Sequence, residues 1–278
     1  MTVSTLAVDS PAVSAGFISR LGAWLFRLPE QLGRWLILLA QTIHAAWSLY
    51  VGRWGYGAAL VSKRIITAQI WFTGVQALPL VTGAGLLVAA AMMGLGYTKM
   101  AALGFESNFG DLMSLGVLRL LGPLLTALIV VARSCTAITT ELANMKLGNE
   151  IDAVAAHGIN PLAYLAVPRL LGVALANAAL TVWMCAAAYL GCFLVAPLMR
   201  TVSLPQFLKI LADAVSPGDL LRCVSAGLLF GLAIPAVAVY HGMNVPRDIN
   251  EIPRAGSRAV VASLLVIFAL AAALSFAG

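Results

Sequence analysis

Charge is scarce in this chain. Only 10% of its 278 residues are charged, whereas 61% are hydrophobic, against roughly 25% and about 45–50% in ordinary soluble domains. The scarcity excludes a soluble fold, because the apolar residues come in runs too long to bury in one aqueous core. Cysteine is sparse as well. Cys135, Cys185, Cys192 and Cys223 lie in or beside apolar segments, without the paired spacings of a zinc site or a disulfide framework. They read as small apolar residues. His44, His157 and His241 are scattered and offer no ligand spacing, so no metal site is expected. A net charge of +6 comes with no long basic run, so nucleic acid is not an expected partner; in a membrane protein such an excess sets orientation. None of Lys63, Lys99, Lys146 and Lys209 follows the glycine of a G-x-x-x-x-G-K-[ST] loop, so the chain has no Walker A phosphate cradle. Any ATP hydrolysis belongs to a partner. The long apolar segments contain no acidic residue, which disfavours the proton relays of an ion-coupled transporter. An intramembrane enzyme would need a nucleophile with a base, or a metal cluster, and neither is found.

What remains is an all-α integral membrane protein. Five segments approach or exceed the roughly 20 residues that cross a bilayer: 65–96, 112–132, 170–199, 223–240 and 259–277. The first is longer than a straight crossing needs, so either its end projects beyond the hydrocarbon or it kinks at Pro79. The second contains Arg119 and Pro123, and the over-long third implies a tilt or an end outside the hydrocarbon. Residues 1–16 are expected to be disordered, and no removed signal peptide is expected. Residues 17–64 mix Trp24, Leu25, Phe26 and Trp47 with Arg20, Arg27, Arg34 and Gln41, a pattern that suits interfacial helices in the headgroup layer. A sixth span through residues 35–50 is the alternative, but it offers 16 residues and contains Gln41 and His44. With five crossings and the N-terminus inside, 12 of the 17 Lys and Arg residues fall on the cytoplasmic side. The expected topology is therefore N-in, C-out.

Between the second and third segments the chain reads Arg133-Ser-Cys-Thr-Ala-Ile-Thr-Thr-Glu141, then Lys146-Leu-Gly-Asn149-Glu150-Ile151-Asp152-Ala-Val154 and on to His157-Gly158-Ile-Asn-Pro161. Asn149 is placed to cap a helix, with Asp152 answering as a short variant of the capping box, and Glu150 and Asp152 suit its positive N-terminal dipole. Gly158 and Pro161 end it. The result is a cytoplasmic helix on the order of 12 Å long, with Ile151, Val154 and Ala155 at helical spacing on one face. Such a helix suits docking of a soluble partner, or packing on its own protein.

That loop, with Leu118-Arg119-Leu120-Leu-Gly122-Pro123 before it and Asn160-Pro161 and Pro168-Arg169 after it, resembles the MlaE/YrbE family of permease subunits of MCE-type ABC transporters. Tyr240-His-Gly242-Met-Asn244, leading into Arg254-Ala-Gly-Ser-Arg258, carries the resemblance further, over about residues 65–275. The resemblance implies a permease domain over residues 65–278 that dimerises in the bacterial inner membrane. Its implied partners are a second permease copy, a separate ABC ATPase that binds ATP and Mg, a periplasmic MCE-domain protein and membrane lipid. The implied activity is phospholipid transfer between two membranes, with no cofactor and no catalytic residue in this chain. The family's coupling helix maps onto Asn149 to His157, which makes Asn149, Glu150, Ile151, Asp152 and Val154 the expected ATPase contacts.

Similar permeases carry Arg-Glu where this sequence has Arg119-Leu120, near the lipid-binding cavity. Without that Glu, Arg119 either pairs elsewhere, with Glu106 or Asp111, or faces a wet cavity and holds a lipid phosphate; snorkelling to the headgroups is the alternative. Arg119, Leu120, Leu86, Leu87 and Met92 form the expected substrate-binding set. Glu141 is expected to pair with Arg133 or Lys146. Gly83, Gly85, Gly94 and Gly96, and the Gly227-x-x-x-Gly231 pair, are expected to let helices approach closely. Arg254 and Arg258 share a helical face, where they anchor the topology at anionic headgroups or meet the ATPase.

Overall fold

The structure is a computed structural model that describes residues 56–105, 108–199, 209 and 212–277. The disorder and most of the interfacial region expected upstream lie outside the described residues. Five helices are long and apolar enough to cross a membrane: Arg64–Ala102, Phe109–Leu147, Leu162–Ala196, Pro217–Met243 and Glu251–Phe276. They are referred to below as the first to fifth spans. The all-α membrane architecture expected from the sequence is the one that forms.

The boundaries differ, for identifiable reasons. The helix Tyr56–Thr73 runs unbroken through the domain boundary expected at residue 64. Residues 133–147, expected in a loop, extend the second span as the helix Thr136–Leu147. Their polar groups are satisfied inside the protein: the hydroxyls of Thr139 and Thr140 donate to the carbonyls of Cys135 and Thr136 at 2.8 and 2.9 Å. Ile138, Leu142 and Ala143 meanwhile bury the inner face. In the first span the break comes before Pro79, in the tight turn Val75–Ala77. Pro79 itself sits in the first turn of the helix Leu78–Ala91, where its missing N–H removes no helical hydrogen bond. Pro123 likewise opens the helix Gly122–Val130, after a stretch of wider turns over Ser114–Leu121.

Small residues set the packing. A Cβ on Gly231 would lie 2.7 Å from Ala174 Cα, and one on Gly227 would lie 2.9 Å from Thr181 Oγ1. The fourth span therefore presses its backbone onto the third, as small-residue spacing permits. Buried Asn177 locks this contact by donating through Nδ2 to the Gly227 carbonyl at 2.7 Å. Gly85 serves the same purpose between the first and third spans, 2.8 Å from Ala187 Cβ to its would-be Cβ. Gly83 and Gly94 have no neighbour within 4 Å, and Gly96 has ordinary contacts, so the expected close approach along the first span occurs only at Gly85. The fourth span has 67% of its apolar window buried, against 22% for the first and 17% for the fifth. The outer spans consequently leave Leu80, Leu87 and Leu95, and Phe268 and Phe276, exposed. All four cysteines are buried and free.

Candidate functional site

The second, fourth and fifth spans line an open cavity of about 430 Å³, within the roughly 300–1,000 Å³ of small-molecule sites. Arg119 and Arg222 supply its cations, and Ser225 and Ser275 its hydroxyls. Leu115, Leu120, Phe230 and Leu274 supply apolar wall. Arg222, Ala226 and Phe230 recur every fourth residue along one face of the fourth span, so the wall passes from a guanidinium to an aromatic ring over about 12 Å.

A buried carboxylate organises the polar end. Arg119 Nε donates to Asp219 Oδ1 at 2.8 Å, with the Asp219 side chain 5% exposed and that of Arg119 37% exposed. The second carboxylate oxygen accepts from Ser216 Oγ at 2.8 Å and from the Ser216 backbone N–H at 3.3 Å. Ser216 Oγ in turn accepts from the Asp219 N–H at 3.2 Å, which completes a capping box with Pro217 in the first turn. Local sequence dictates this start: Ser216-Pro217-Gly218-Asp219 carries both the cap spacing and the proline that open a helix. The fourth span therefore begins at Pro217, ahead of the expected Cys223, and includes an acidic residue where the sequence leads one to expect none. Asp219 is the buried charged residue beside the cavity that hydropathy misses, and the cap motif is the signal that finds it.

The expected partners of Arg119 are thus corrected. Asp111 stands two turns back on the same span, about 12 Å along the axis, whereas Asp219 projects from a neighbouring helix start; Glu106 lies outside the described residues. Arg222 makes no ion pair among the described residues. Of the expected substrate-binding set, Arg119 and Leu120 line the cavity. Leu86, Leu87 and Met92 stand apart from it on the first span: Leu87 is 73% exposed, and Met92 packs in a separate cluster with Met93, Tyr97 and Phe109. One chain does not bring the five together.

The opposite end of the bundle holds the short helix Glu150–Ala156. Asn149 does not cap it as expected. Its backbone is left-handed, with φ 56°, and its side chain makes no capping hydrogen bond. Asp152, expected to answer the cap, instead reaches Arg247 Nη2 at 2.6 Å, with both side chains nearly two-thirds exposed. The C-terminal stop forms as expected: Gly158 takes φ +74°, and the N–H groups of Gly158 and Ile159 donate to Ala155 and Val154 at 2.9 and 3.3 Å. These are the paired bonds of a Schellman motif. Ile151 and Val154 are half-buried, Ile151 against the main core, while Glu150, Asp152 and Ala155 face outward. The outward face is therefore acidic and small, and most of the apolar stripe packs on its own protein.

Charges at this end pair with one another. Glu141 Oε1 accepts from Arg169 Nη2 at 2.7 Å, across to the third span, so its expected partners Arg133 and Lys146 are corrected. Lys146 Nζ donates to the Met243 carbonyl at 2.7 Å. Arg133 bonds Gln76 and lies over the Phe72 ring, 5.0 Å from its centroid. Arg254 and Arg258 both reach Glu251, at 2.6 and 2.8 Å. Among the described residues no group of His, Cys, Asp and Glu is arranged to hold a metal ion.

A match to the family described as permease MlaE extends over residues 66–277. The chain belongs to the MlaE permease family. Apart from the first two residues of the first span, the five spans and the short helix fall within the matched MlaE region. The chain is 26% identical to the intermembrane phospholipid transport system permease protein MlaE of Haemophilus influenzae, over 74% of this chain and 79% of that one. It is 26% identical to a probable ABC transporter permease protein of Synechocystis, over 66% of this chain and 71% of the other. It is also 24% identical to the chloroplastic protein trigalactosyldiacylglycerol 1 of Arabidopsis thaliana, over 66% of this chain and 53% of that protein. The first two of these relatives are named as permease proteins.

Proposed function

We propose that this chain is the permease subunit of an ATP-driven intermembrane phospholipid transporter, holding lipid in the cavity at one end of the bundle and receiving a separate ABC ATPase at the other. The observation that carries the reading is the cavity itself, which joins guanidinium groups to apolar wall within a chain of the MlaE family. A phospholipid needs both kinds of surface. Orientation follows from the basic residues, 12 of 17 of which gather on one side when the N-terminus is inside. The short helix Glu150–Ala156 then faces the cytoplasm, the cavity lies toward the periplasm, and the setting is a bacterial inner membrane.

The remaining parts are assigned by the same reading. The outward residues Glu150 and Asp152, with Asn149 before them and Ile151 and Val154 beneath, form the ATPase contact, and ATP with Mg is bound by that partner. A second copy covers the exposed face of the first span, where Gly83 and Gly94 leave room and Leu86 and Leu87 would join Met92, Arg119 and Leu120 in a shared lipid path. A periplasmic MCE-domain protein receives the lipid or supplies it. The test is to purify the tagged chain, co-expressed with the products of its neighbouring genes, and to identify bound proteins and lipids by mass spectrometry. One ATPase per permease, lost when Glu150, Ile151 and Asp152 are replaced together, with bound phospholipid, is the expected result. A permease that carries no ATPase, and transport that persists without ATP but collapses with the proton gradient, would overturn the reading in favour of an ion-coupled transporter.

A further inference from the structure

The charge balance of the cavity points to the kind of headgroup it takes. Arg119 is matched by Asp219 at 2.8 Å, and both Asp219 oxygens are engaged, one by Arg119 and the other by Ser216. That carboxylate is buried and offers nothing to a ligand cation. The lining residues include no acidic side chain, but they include Arg222, which has no ion-pair partner among the described residues. Among the described residues, the cavity wall therefore carries one positive charge with no ion-pair partner, on an exposed Arg222 side chain beside apolar wall.

We infer that Arg222 is the charge-selecting residue of the site, and that the cavity takes phospholipids whose headgroups carry a net negative charge in preference to zwitterionic ones. The inference rests on the reading above that the cavity holds a phospholipid. The headgroup phosphate meets the Arg222 guanidinium, and the hydroxyls of Ser225 and Ser275 suit a hydroxylated headgroup. Ser225 already donates to the Arg222 carbonyl at 2.9 Å, which leaves its oxygen free to accept. The acyl chain follows Ala226 toward Phe230. A zwitterionic headgroup places its own ammonium beside the same arginines, with no free carboxylate to receive it.

The test uses the full-length chain in nanodiscs of equal parts phosphatidylglycerol and phosphatidylcholine with identical acyl chains, and bound lipid is read by native mass spectrometry. Wild type is expected to hold phosphatidylglycerol over phosphatidylcholine by roughly tenfold, as a charge-assisted contact of ordinary strength implies. Arg222→Gln is expected to bring the ratio close to one while both lipids still bind, and Arg222→Lys to keep most of the preference. Lys99→Gln removes a cation from the same end of the bundle but outside the cavity lining, and should leave the ratio unchanged. A preference that survives in Arg222→Gln, or its absence in wild type, overturns the inference and leaves the phospholipid reading standing. A cavity that retains neither lipid overturns that reading as well.

Discussion

The two ends of the bundle use charge in opposite ways. Around the cavity, one buried carboxylate holds one arginine, and a second arginine has no ion-pair partner among the described residues. Around the short helix Glu150–Ala156, most charged groups have partners, but the Asp152–Arg247 pair and the guanidinium partners of Glu251 lie largely in the open. Burial decides what each arrangement does. Removing one partner of a buried pair strands the other charge, whereas an exposed pair contributes about 0–1 kcal/mol. At the cavity end, loss of Asp219 would strand a guanidinium, whereas the pairs on and beside the short helix lie largely in the open and contribute little.

The largest effect that would break this contrast is Asp219→Ala. It leaves Arg119 without its carboxylate and removes the Asp219 half of the capping box while the Ser216 cap remains, and it is expected to lower stability by about 2 kcal/mol; partial exposure of Arg119 keeps the figure below that for a fully buried pair. Denaturant unfolding in detergent measures it, and an unchanged midpoint would mean that the pair does not organise the site. Gly158→Ala comes next. Its left-handed backbone, φ +74°, disfavours any side chain by roughly 1 kcal/mol. Hydrogen exchange should quicken over residues 150–158 while the cavity end stays protected, and uniform loosening would count against separate behaviour of the two ends. Smallest is Asp152→Ala, which breaks a pair exposed on both sides and should shift stability by less than about 0.5 kcal/mol. A loss similar to that of Asp219→Ala would erase the distinction.

How far the sequence discloses this organisation follows from the range of the interactions. The five spans are legible because long apolar runs have no other solution. The Gly158 stop of the short helix is legible because a Schellman turn depends on neighbours within a few residues. The reading of Asn149 failed although the residue type was right: left-handed backbone before Glu150 points its side chain away from the helix N–H groups it would cap. A true cap was present at Ser216-Pro217-Gly218-Asp219, hidden because Asp219 and Arg222 lower the hydropathy of a span that in fact contains them. Arg119 with Asp219 and Glu141 with Arg169 were not legible. Each pair joins different spans, 100 and 28 residues apart in the chain, and depends on the packing of the second span against the third at Gly122 and against the fourth at Gly242. For the same reason the expected lipid set divides, with Arg119 and Leu120 on the cavity and Leu86, Leu87 and Met92 on another span.

The proposed division of labour requires that events at the short helix reach the cavity. The most direct measurement is lipid occupancy by native mass spectrometry on the permease reconstituted with the proposed ATPase partner, without nucleotide and with a trapped ATP analogue. Occupancy that changes several-fold on trapping, and no longer changes when Glu150, Ile151 and Asp152 are replaced together, is the expected result. Occupancy that is the same in both nucleotide states would contradict coupling between the two ends.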